Sequence, residues 1–406
     1  MAHRAATGAF VMHMRESLRR VACWTCLAIG CAPSSVKAAE GVEHTPVFVA
    51  GEGDYHTYRI PSLLATSQGT LLAFCEGRVS GRGDSGDIDL LLKRSHDGGR
   101  TWGETQVLWN DGKNTCGNPC PVIDRESGAI HLLLTQNFGD DTEAEIKLNT
   151  GKGSRTVWVC RSDDDGATWS QPEEITEDVK RPEWTWYATG PGVGIQLERG
   201  PRAGRLVIPC DHGFHDPDGT RRDVQSEYGA HVIYSDDRGE TWQIGGAIVP
   251  KMNECQVVEL ADPAGSLLMD MRSYRGKSCR AQSTSTDGGL SWSTPVDVPT
   301  LVEPVCQASL IRQSWPMSGE KGVLLFSNPA DPKQRVSMTI RASDDDGRTW
   351  SAGYELHAGA SAYSCLAPLT GDTVGCLYER GEKNAYEQIT FARVPLSLLT
   401  EAPRTI

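Results

Sequence analysis

The sequence predicts an all-β protein, a β-propeller of six blades built from short strands and tight hairpin turns. Three observations predict this fold: a turn motif that recurs five times, a composition with 43 Gly and 11 Trp, and a length of 406 residues. Recurrent turn signals between short strands are typical of sheet-rich repeat folds. A single domain of this length is usual among propellers and barrels.

The recurrent motif reads Ser-x-Asp-x-Gly-x-Thr-Trp, with Ser replacing Thr in one copy. The Asp carboxylate can accept hydrogen bonds from backbone N–H groups of its own turn, and the Gly can adopt a positive φ without steric cost. The Trp is expected to pack between adjacent sheets. We therefore interpret the motif as structural rather than catalytic. The copies run over residues 95–102, 162–169, 235–242, 285–292 and 343–350.

The spacing of the copies sets the predicted number of blades. Successive motif tryptophans are 50 to 73 residues apart, which suits one four-stranded blade for each copy. Residues 40–406 then form a single domain of six blades with about 60 residues each, the sixth lacking the motif. Ring closure is expected to pair a strand near residues 46–50 with one near residues 388–394.

Residues 1–39 have the pattern of a signal peptide. A basic stretch over residues 15–20 precedes a short apolar run over residues 21–32, and Val36-Lys37-Ala38 offers a small-residue cleavage pattern. The apolar run is too short to span a bilayer. We therefore expect an exported protein without a membrane span, secreted or periplasmic. Cys31 follows a sequence that resembles a lipoprotein cleavage site, so lipid anchoring is the alternative.

Charge and cysteine content exclude other classes of protein. The formal net charge is -13, whereas a nucleic-acid-binding protein would show a basic face. Ten cysteines follow the leader, and the pattern leaves open whether they are buried free thiols or form one or two disulfides. Cys116 and Cys120 have no histidine pair at zinc-ligand spacing nearby. We therefore expect neither nucleic-acid binding nor a metal site.

A second motif, Tyr58-Arg59-Ile60-Pro61, lies ahead of the five turn motifs. The tetrapeptide resembles the Phe/Tyr-Arg-Ile-Pro motif of the sialidase (neuraminidase) superfamily, and the turn motif resembles the Asp box of the same superfamily. Asp boxes also occur in other propellers, so the fold alone does not give the function. The resemblance implies a six-bladed propeller with Asp-box hairpins and extends over the whole chain after the leader.

The resemblance implies three catalytic residues. Asp84, in the segment over residues 76–89, matches the acid/base aspartate, with Asp87 as the alternative. Glu254, in Asn253-Glu254-Cys255-Gln256, matches the glutamate that activates the nucleophile. Tyr363, in Ala362-Tyr363-Ser364, matches the nucleophilic tyrosine.

The resemblance also implies a set of substrate-binding residues. Arg275 and Arg280 are less good matches to the second arginine of the carboxylate-binding triad than Arg272. The segment over residues 183–192, rich in aromatics, is expected to be either a pocket wall or blade core, and Asn118 is a candidate for the pocket rim. The substrate-binding candidates are the triad Arg59, Arg272 and Arg335, then Glu379, which would hold Arg59, and finally Arg78.

These roles suit the chemistry of sialic acid, a 2-keto acid with a carboxylate on its anomeric carbon. Guanidinium groups bind carboxylates through paired hydrogen bonds and stay charged. A neutral tyrosine avoids the repulsion that a carboxylate nucleophile would meet, and sialidases are the tyrosine exception among retaining glycosidases. Because the pKa of a phenol is near 10, the attack needs a base such as Glu254.

The sequence therefore predicts a retaining exo-α-sialidase that acts on terminal sialic acids of glycoproteins, glycolipids or oligosaccharides. We expect it to work as a monomer and without a cofactor. The alternatives are a trans-sialidase or intramolecular trans-sialidase, a hydrolase for a related 2-keto acid sugar, and a noncatalytic glycan-binding propeller. The last alternative would lack equivalents of Tyr363, Glu254 or Asp84, and all three are present.

Overall fold

A computed structural model of the chain describes residues 41–215, 226–318 and 321–400, together with the backbone of residues 404–405. The expected leader over residues 1–39 lies outside the described residues, as do its cleavage site and Cys31. The described strands all belong to one compact unit over residues 40–406. None of the helices among the described residues is long and apolar enough to cross a membrane.

The protein is all-β, as predicted, and most of its strands pair antiparallel with a strand that is close to them in the chain. Glu43–Val49 (β1) is the first strand of the chain. The next four strands form consecutive antiparallel pairs: Thr57–Ala65 (β2), Leu71–Arg78 (β3), Ile88–Ser95 (β4) and Gln106–Trp109 (β5). They are followed by Thr115–Ile123 (β6), Ile130–Asn137 (β7), Thr156–Ser162 (β8) and Glu173–Glu174 (β9).

The middle of the chain repeats this arrangement in two further sheets. The first sheet contains Trp184–Thr189 (β10), Ile195–Gln196 (β11), Leu206–His215 (β12), Ser226–Ser235 (β13) and Gln243–Ile248 (β14). The second contains Met252–Glu259 (β15), Leu267–Ser273 (β16), Cys279–Ser285 (β17) and Val296–Val302 (β18).

The last part of the chain forms a sheet that also includes β1. Its strands are Ser309–Ser314 (β19), Val323–Pro329 (β20), Val336–Ser343 (β21), Tyr354–Pro368 (β23), Thr373–Gly381 (β24) and Gln388–Pro395 (β25). The short strands Trp350–Ser351 (β22) and Arg404–Thr405 (β26) pair with each other. The helical segments are Glu143–Lys147 (α1), Thr176–Val179 (α2), Ser397–Thr400 (α3) and a 3₁₀ turn over Gly200–Arg202.

Strand β1 pairs antiparallel with β25, so the beginning and the end of the domain share one sheet. Pro46 lies opposite Thr390, and Val49 lies opposite Gln388. This confirms the expected pairing of residues 46–50 with residues 388–394. Strand β23 has two roles, because its first half pairs with β21 and its second half with β24. The second half carries Tyr363.

The apolar core lies between consecutive groups of strands. One buried cluster joins β2–β4 to β6–β8, the next joins β6–β8 to β10–β14, and the series continues to the end of the chain. A last cluster joins β1 and β23–β25 back to β2–β4. All ten cysteines from Cys75 to Cys376 are buried free thiols, which settles the alternative that the sequence left open.

The five repeated turns share one hydrogen-bond pattern. In the first, Ser95 Oγ accepts from Gly99 N at 2.9 Å and donates to Asp97 Oδ1, which in turn accepts from Thr101 N at 2.9 Å. The same bonds recur at the other four copies. Gly99 has a φ of +88°, and a Cβ there would meet the Phe391 ring at 2.0 Å. Trp102 packs edge-on against that ring.

Candidate active site

A polar pocket lies where β2, β6 and β15 begin. A larger and mostly apolar cavity lies at the opposite ends of the same strands, but it contains none of the candidate residues. Glu379 is wholly buried behind the polar pocket. The other seven candidates line the pocket: Arg59, Arg78, Asp84, Glu254, Arg272, Arg335 and Tyr363.

Tyr363 and Glu254 form a direct pair at the centre of the pocket. The Tyr363 hydroxyl donates to Glu254 Oε1 at 2.6 Å, and both residues are less than one-tenth exposed. Burial, and then the charge of Glu254, raise the pKa of the Tyr363 phenol well above its ordinary value. The phenol is therefore neutral at physiological pH, and its carboxylate neighbour is placed to take its proton.

Arg59 is held in place by Glu379. Arg59 Nε donates to Glu379 Oε1 at 2.9 Å, and the same carboxylate accepts from the backbone N–H groups of Ile60 at 2.9 Å and Tyr363 at 3.0 Å. One buried carboxylate thus fixes the first arginine and the backbone of the tyrosine together. Ile60 has a φ of +61°, a strained conformation for a β-branched residue. Such strain is concentrated at functional sites.

Arg272 and Arg335 complete the group of arginines around Tyr363. Arg272 Nη1 donates to Glu254 Oε2 at 2.7 Å and to the Tyr363 hydroxyl at 3.2 Å. Arg335 Nη1 donates to the Tyr386 hydroxyl at 3.0 Å, and its guanidinium lies 5.6 Å from the centre of the Tyr363 ring. Among the described residues, Arg335 forms no ion pair and Arg272 Nε has no hydrogen-bond partner. Both can therefore take up an anion.

Arg78 holds the loop that carries Asp84. Its Nη1 donates to Asp84 Oδ1 at 2.7 Å and to the carbonyl oxygens of Arg82 and Gly83, while Nε and Nη2 donate to Glu76. All three nitrogens of the Arg78 guanidinium therefore have protein acceptors. The expectation that Arg78 binds substrate stays a prediction, and the contacts give it a positioning role.

Asp84, rather than the alternative Asp87, lies in the pocket. Its side chain is 63% exposed and also lies 3.4 Å from Arg59 Nη1. Partial burial favours a higher pKa, but the charges of Arg78 and Arg59 outweigh it, and the pKa of the Asp84 carboxyl is lower than usual. Asp84 is thus ionised in the ligand-free protein at neutral pH.

The two weaker arginine matches lie outside the pocket. Arg280 is wholly buried between Asp270 Oδ1 at 2.6 Å and Glu303 Oε2 at 2.8 Å. Arg275 pairs with Asp297 Oδ1 at 3.2 Å. Arg280 still supports the site, because Glu303 also accepts from Ser273 N, next to Arg272.

The pocket contains residues that no motif indicated. Arg155 and Asp211 are almost fully buried in its wall, and Glu143 and Tyr274 lie at its edge. Burial, together with the charge of Glu254, raises the pKa of the Asp211 carboxyl well above its ordinary value. Trp186 and Asn118, which the sequence left undecided, both line the pocket.

The side chains of the described residues show whether a metal ion could be held. Among the described residues, no group of three or more His, Cys, Asp or Glu side chains is arranged to hold a metal ion. The pocket instead contains guanidinium groups, carboxylates and a phenol–carboxylate pair. The fold and the site together define an all-β protein with a pocket of clustered guanidinium groups around a buried tyrosine.

Comparison with known proteins places this all-β chain in a family. The BNR repeat-like domain family matches residues 69–376. The sialidase of Micromonospora viridifaciens is 36% identical over 359 residues, which cover 85% of this chain and 53% of the relative. The chain thus spans about half the length of that relative. Sialidase-3 of Mus musculus is 33% identical, with 82% of this chain and 90% of the relative covered.

Solved structures give the same result. A Hadza microbial sialidase superposes with a TM-score of 0.75 at 33% identity, with 88% of this chain and 69% of that chain covered. The matched sialidase structures have a β-propeller-like fold. The chain belongs to the sialidase (neuraminidase) superfamily.

Proposed function

We propose that this protein is an exo-α-sialidase that hydrolyses terminal sialic acids from glycoproteins, glycolipids or oligosaccharides. The observation that carries the proposal is the 2.6 Å hydrogen bond between Tyr363 and Glu254, beside Arg335, which forms no ion pair with any residue that the structure describes. A phenol with its own base, next to arginines that can take up an anion, suits an anionic glycoside. Membership of the superfamily supports the same substrate class.

In the proposed complex the sugar carboxylate binds to Arg59, Arg272 and Arg335. Guanidinium groups bind a carboxylate through two parallel hydrogen bonds, which fixes its orientation as well as its position. Glu379 offsets the mutual repulsion of the clustered cations and keeps Arg59 in its rotamer. The anomeric carbon, bonded to the carboxylate, would then lie next to the Tyr363 hydroxyl.

The proposed reaction retains the anomeric configuration. Tyr363 Oη bonds to the anomeric carbon while its proton passes to Glu254, and the glycosidic bond breaks as Asp84 gives a proton to the leaving oxygen. In the second step Asp84 takes a proton from water, the water oxygen bonds to the anomeric carbon, and Tyr363 leaves with the proton from Glu254. After the two displacements Asp84 is again the protonated acid, Glu254 is again a carboxylate and Tyr363 is again a phenol.

The arrangement of strands supports six blades arranged in a ring. In this proposal the strands divide into six successive groups, namely β2–β5, β6–β9, β10–β14, β15–β18, β19–β21 and β23–β25 with β1, and a buried cluster of β1, β23–β25 and β2–β4 joins the last group to the first. In this proposal the five repeated turns are Asp boxes, and residues 40–406 form a single catalytic domain. The pocket then lies at one end of the central axis, formed by the starts of the innermost strands.

Proton NMR of the purified protein acting on sialyllactose tests this proposal. We expect early release of the α-anomer of free sialic acid, and a loss of at least about 100-fold in rate for Tyr363→Phe, because the phenyl ring has no nucleophilic oxygen. Tyr234→Phe is the matched control, because the Tyr234 hydroxyl bonds only to Gln243 among the described residues and does not line the pocket.

Each alternative has its own NMR result. An anhydro sugar as product would indicate an intramolecular trans-sialidase, and transfer to lactose would indicate a trans-sialidase. Release of the β-anomer first would contradict the tyrosine intermediate. No change in any sialoside, with Tyr363→Phe binding as well as wild type, would favour the noncatalytic propeller.

A further inference from the structure

Arg155 is a buried cation in the wall of the pocket. It is 2% exposed, and its Nε donates to Thr135 Oγ1 at 2.9 Å while Nη2 donates to Asn118 Oδ1 at 2.7 Å. Its guanidinium lies 4.2 Å from the centre of the Trp186 ring. Over residues 41–215, 226–318 and 321–400 it forms no ion pair, and Nη1 has no acceptor. Both of its protein acceptors are neutral.

Among the described residues, no carboxylate contacts the Arg155 guanidinium directly. Burial lowers the pKa of the Arg155 guanidinium, although carboxylates such as Glu76 attract it from a distance. Lys180 is also buried and donates to the backbone carbonyls of Arg155 and Thr185, and burial, followed by the charge of Arg155, lowers its pKa to about 7. A buried charge without a partner is costly, so proteins rarely keep one unless a ligand completes it.

The free nitrogen is available for a group other than the sugar carboxylate. The carboxylate is proposed to bind Arg59, Arg272 and Arg335, and Arg155 contacts none of them. Among the described residues, the guanidinium of Arg155 contacts Thr135, Asn118 and Trp186. The oxygens of sialic acid away from its anomeric carbon are the acyl oxygen and the hydroxyls, and all are hydrogen-bond acceptors.

We propose that Arg155 is a specificity-determining residue, whose Nη1 donates a hydrogen bond to one acyl or hydroxyl oxygen of the bound sugar, remote from its carboxylate. This inference rests on the proposed sialidase function. Thr135 and Asn118 hold the guanidinium plane and Trp186 covers its face, so the direction of the remaining donor is fixed before the sugar arrives. A preorganised donor discriminates strongly against a sugar that lacks the oxygen, because the donor is then left unpaired.

The test compares variants on sialosides that differ by single oxygens. Steady-state kinetics would use a 4-methylumbelliferyl α-sialoside, its four single-deoxy analogues at the hydroxyls, and the analogue with a free amine in place of the acylamide. Arg155→Met should lower kcat/KM on the parent by about 10- to 100-fold. On one analogue the difference between wild type and Arg155→Met should shrink to about twofold, and that analogue identifies the oxygen.

Two further variants separate recognition from folding. Arg341→Met is the matched control, because Arg341 is also buried, donates to an amide oxygen (Asn328 Oδ1, 3.4 Å) and forms no ion pair among the described residues, but does not line the pocket. It should match wild type on every substrate within about twofold. Arg155→Lys keeps the positive charge but lacks the planar guanidinium with its several N–H donors, and it should be more active than Arg155→Met. Thermal melts would report the folding of each variant.

Three results would overturn the inference. They are an equal loss for Arg155→Met on all substrates, no loss on any, or the same loss for Arg341→Met. Wild-type protein that cleaves no sialoside would instead overturn the proposed function. Calorimetric titration with sialic acid and its deoxy forms would then decide the inference, which fails if wild type and Arg155→Met bind them equally.

Discussion

Replacing Glu379 by Gln should destabilise the fold as well as weaken the site. The Glu379 carboxylate is wholly buried and accepts from Arg59 Nε, Ile60 N and Tyr363 N at 2.9 to 3.0 Å. The amide oxygen of a glutamine can still accept the hydrogen bonds made to one carboxylate oxygen, but its NH₂ group replaces the other oxygen and then faces a backbone N–H, so that two donors oppose each other. The substitution also leaves the buried Arg59 without its main counter-charge.

The magnitude follows from these contacts. An unpaired charge left by breaking a buried ion pair costs about 3–5 kcal/mol. An orphaned buried N–H group costs about 1–3 kcal/mol, part of which relaxation of the loop would recover. We therefore expect Glu379→Gln to lower the free energy of unfolding by about 3–5 kcal/mol.

Urea unfolding followed by tryptophan fluorescence measures this change through the midpoint at constant slope. Glu43→Gln is the control, because Glu43 forms exposed ion pairs with Arg100 at 3.5 Å and Arg393 at 3.4 Å and should lose less than about 1 kcal/mol. A loss below about 1 kcal/mol for Glu379→Gln as well would refute the reasoning that this carboxylate compensates a buried charge.

Three further predictions concern stability and binding. Burial lowers the pKa of His212 to about 3, so below about pH 6.5 the unfolded chain binds a proton at this residue that the folded protein does not. We therefore expect His212 alone to lower the free energy of unfolding by about 3 kcal/mol between neutral pH and about pH 4.5. Urea unfolding at a series of pH values would measure this loss. An unchanged midpoint over that range would contradict this sign. Ser343→Ala removes the acceptor of Gly347 N and a donor to Asp345, so it should lower the free energy of unfolding by about 1–2 kcal/mol in the same assay. Arg335→Lys should raise KM for a fluorogenic sialoside by about 10-fold or more with a smaller change in kcat, since a lysine cannot bind a carboxylate bidentately; a change in kcat alone would argue against ground-state binding.

The sequence predicted best those features that neighbouring residues determine. Each repeated turn closes on itself, because its Ser, Asp, Gly and Thr bond to one another within a few residues. The pairing of β1 with β25 was predictable for another reason. In the predicted propeller, the ring closes when the first strand of the domain pairs with the edge of the sheet formed by the last strands.

The sequence could not indicate residues whose environment comes from distant strands. Arg155 precedes an ordinary strand, and its special position comes from Thr135, Asn118 and Trp186, which belong to three other strands. No local pattern marks such an arginine. Asp211 is similar, because its pocket position depends on Asn253 in another sheet, which donates to its Oδ1 at 2.8 Å.

Roles were harder to predict than positions. The resemblance implied that Arg78 binds substrate, and Arg78 does lie in the pocket. Its donors are nevertheless taken up by Glu76 and by the loop of Asp84. An arginine that binds a ligand can be distinguished from one that holds a loop only when the structure shows which of its N–H donors already have acceptors in the protein.

The electrostatics of Asp84 link the two halves of the proposed reaction. In the ligand-free protein Arg78 and Arg59 keep the pKa of the Asp84 carboxyl low, which is unsuitable for an acid that must give up a proton. A sugar carboxylate on Arg59 would compensate one of these two cations and add a negative charge near Asp84. Both effects raise the pKa of the Asp84 carboxyl. Binding of the anionic substrate would thus itself convert Asp84 into the proton donor that the first step needs.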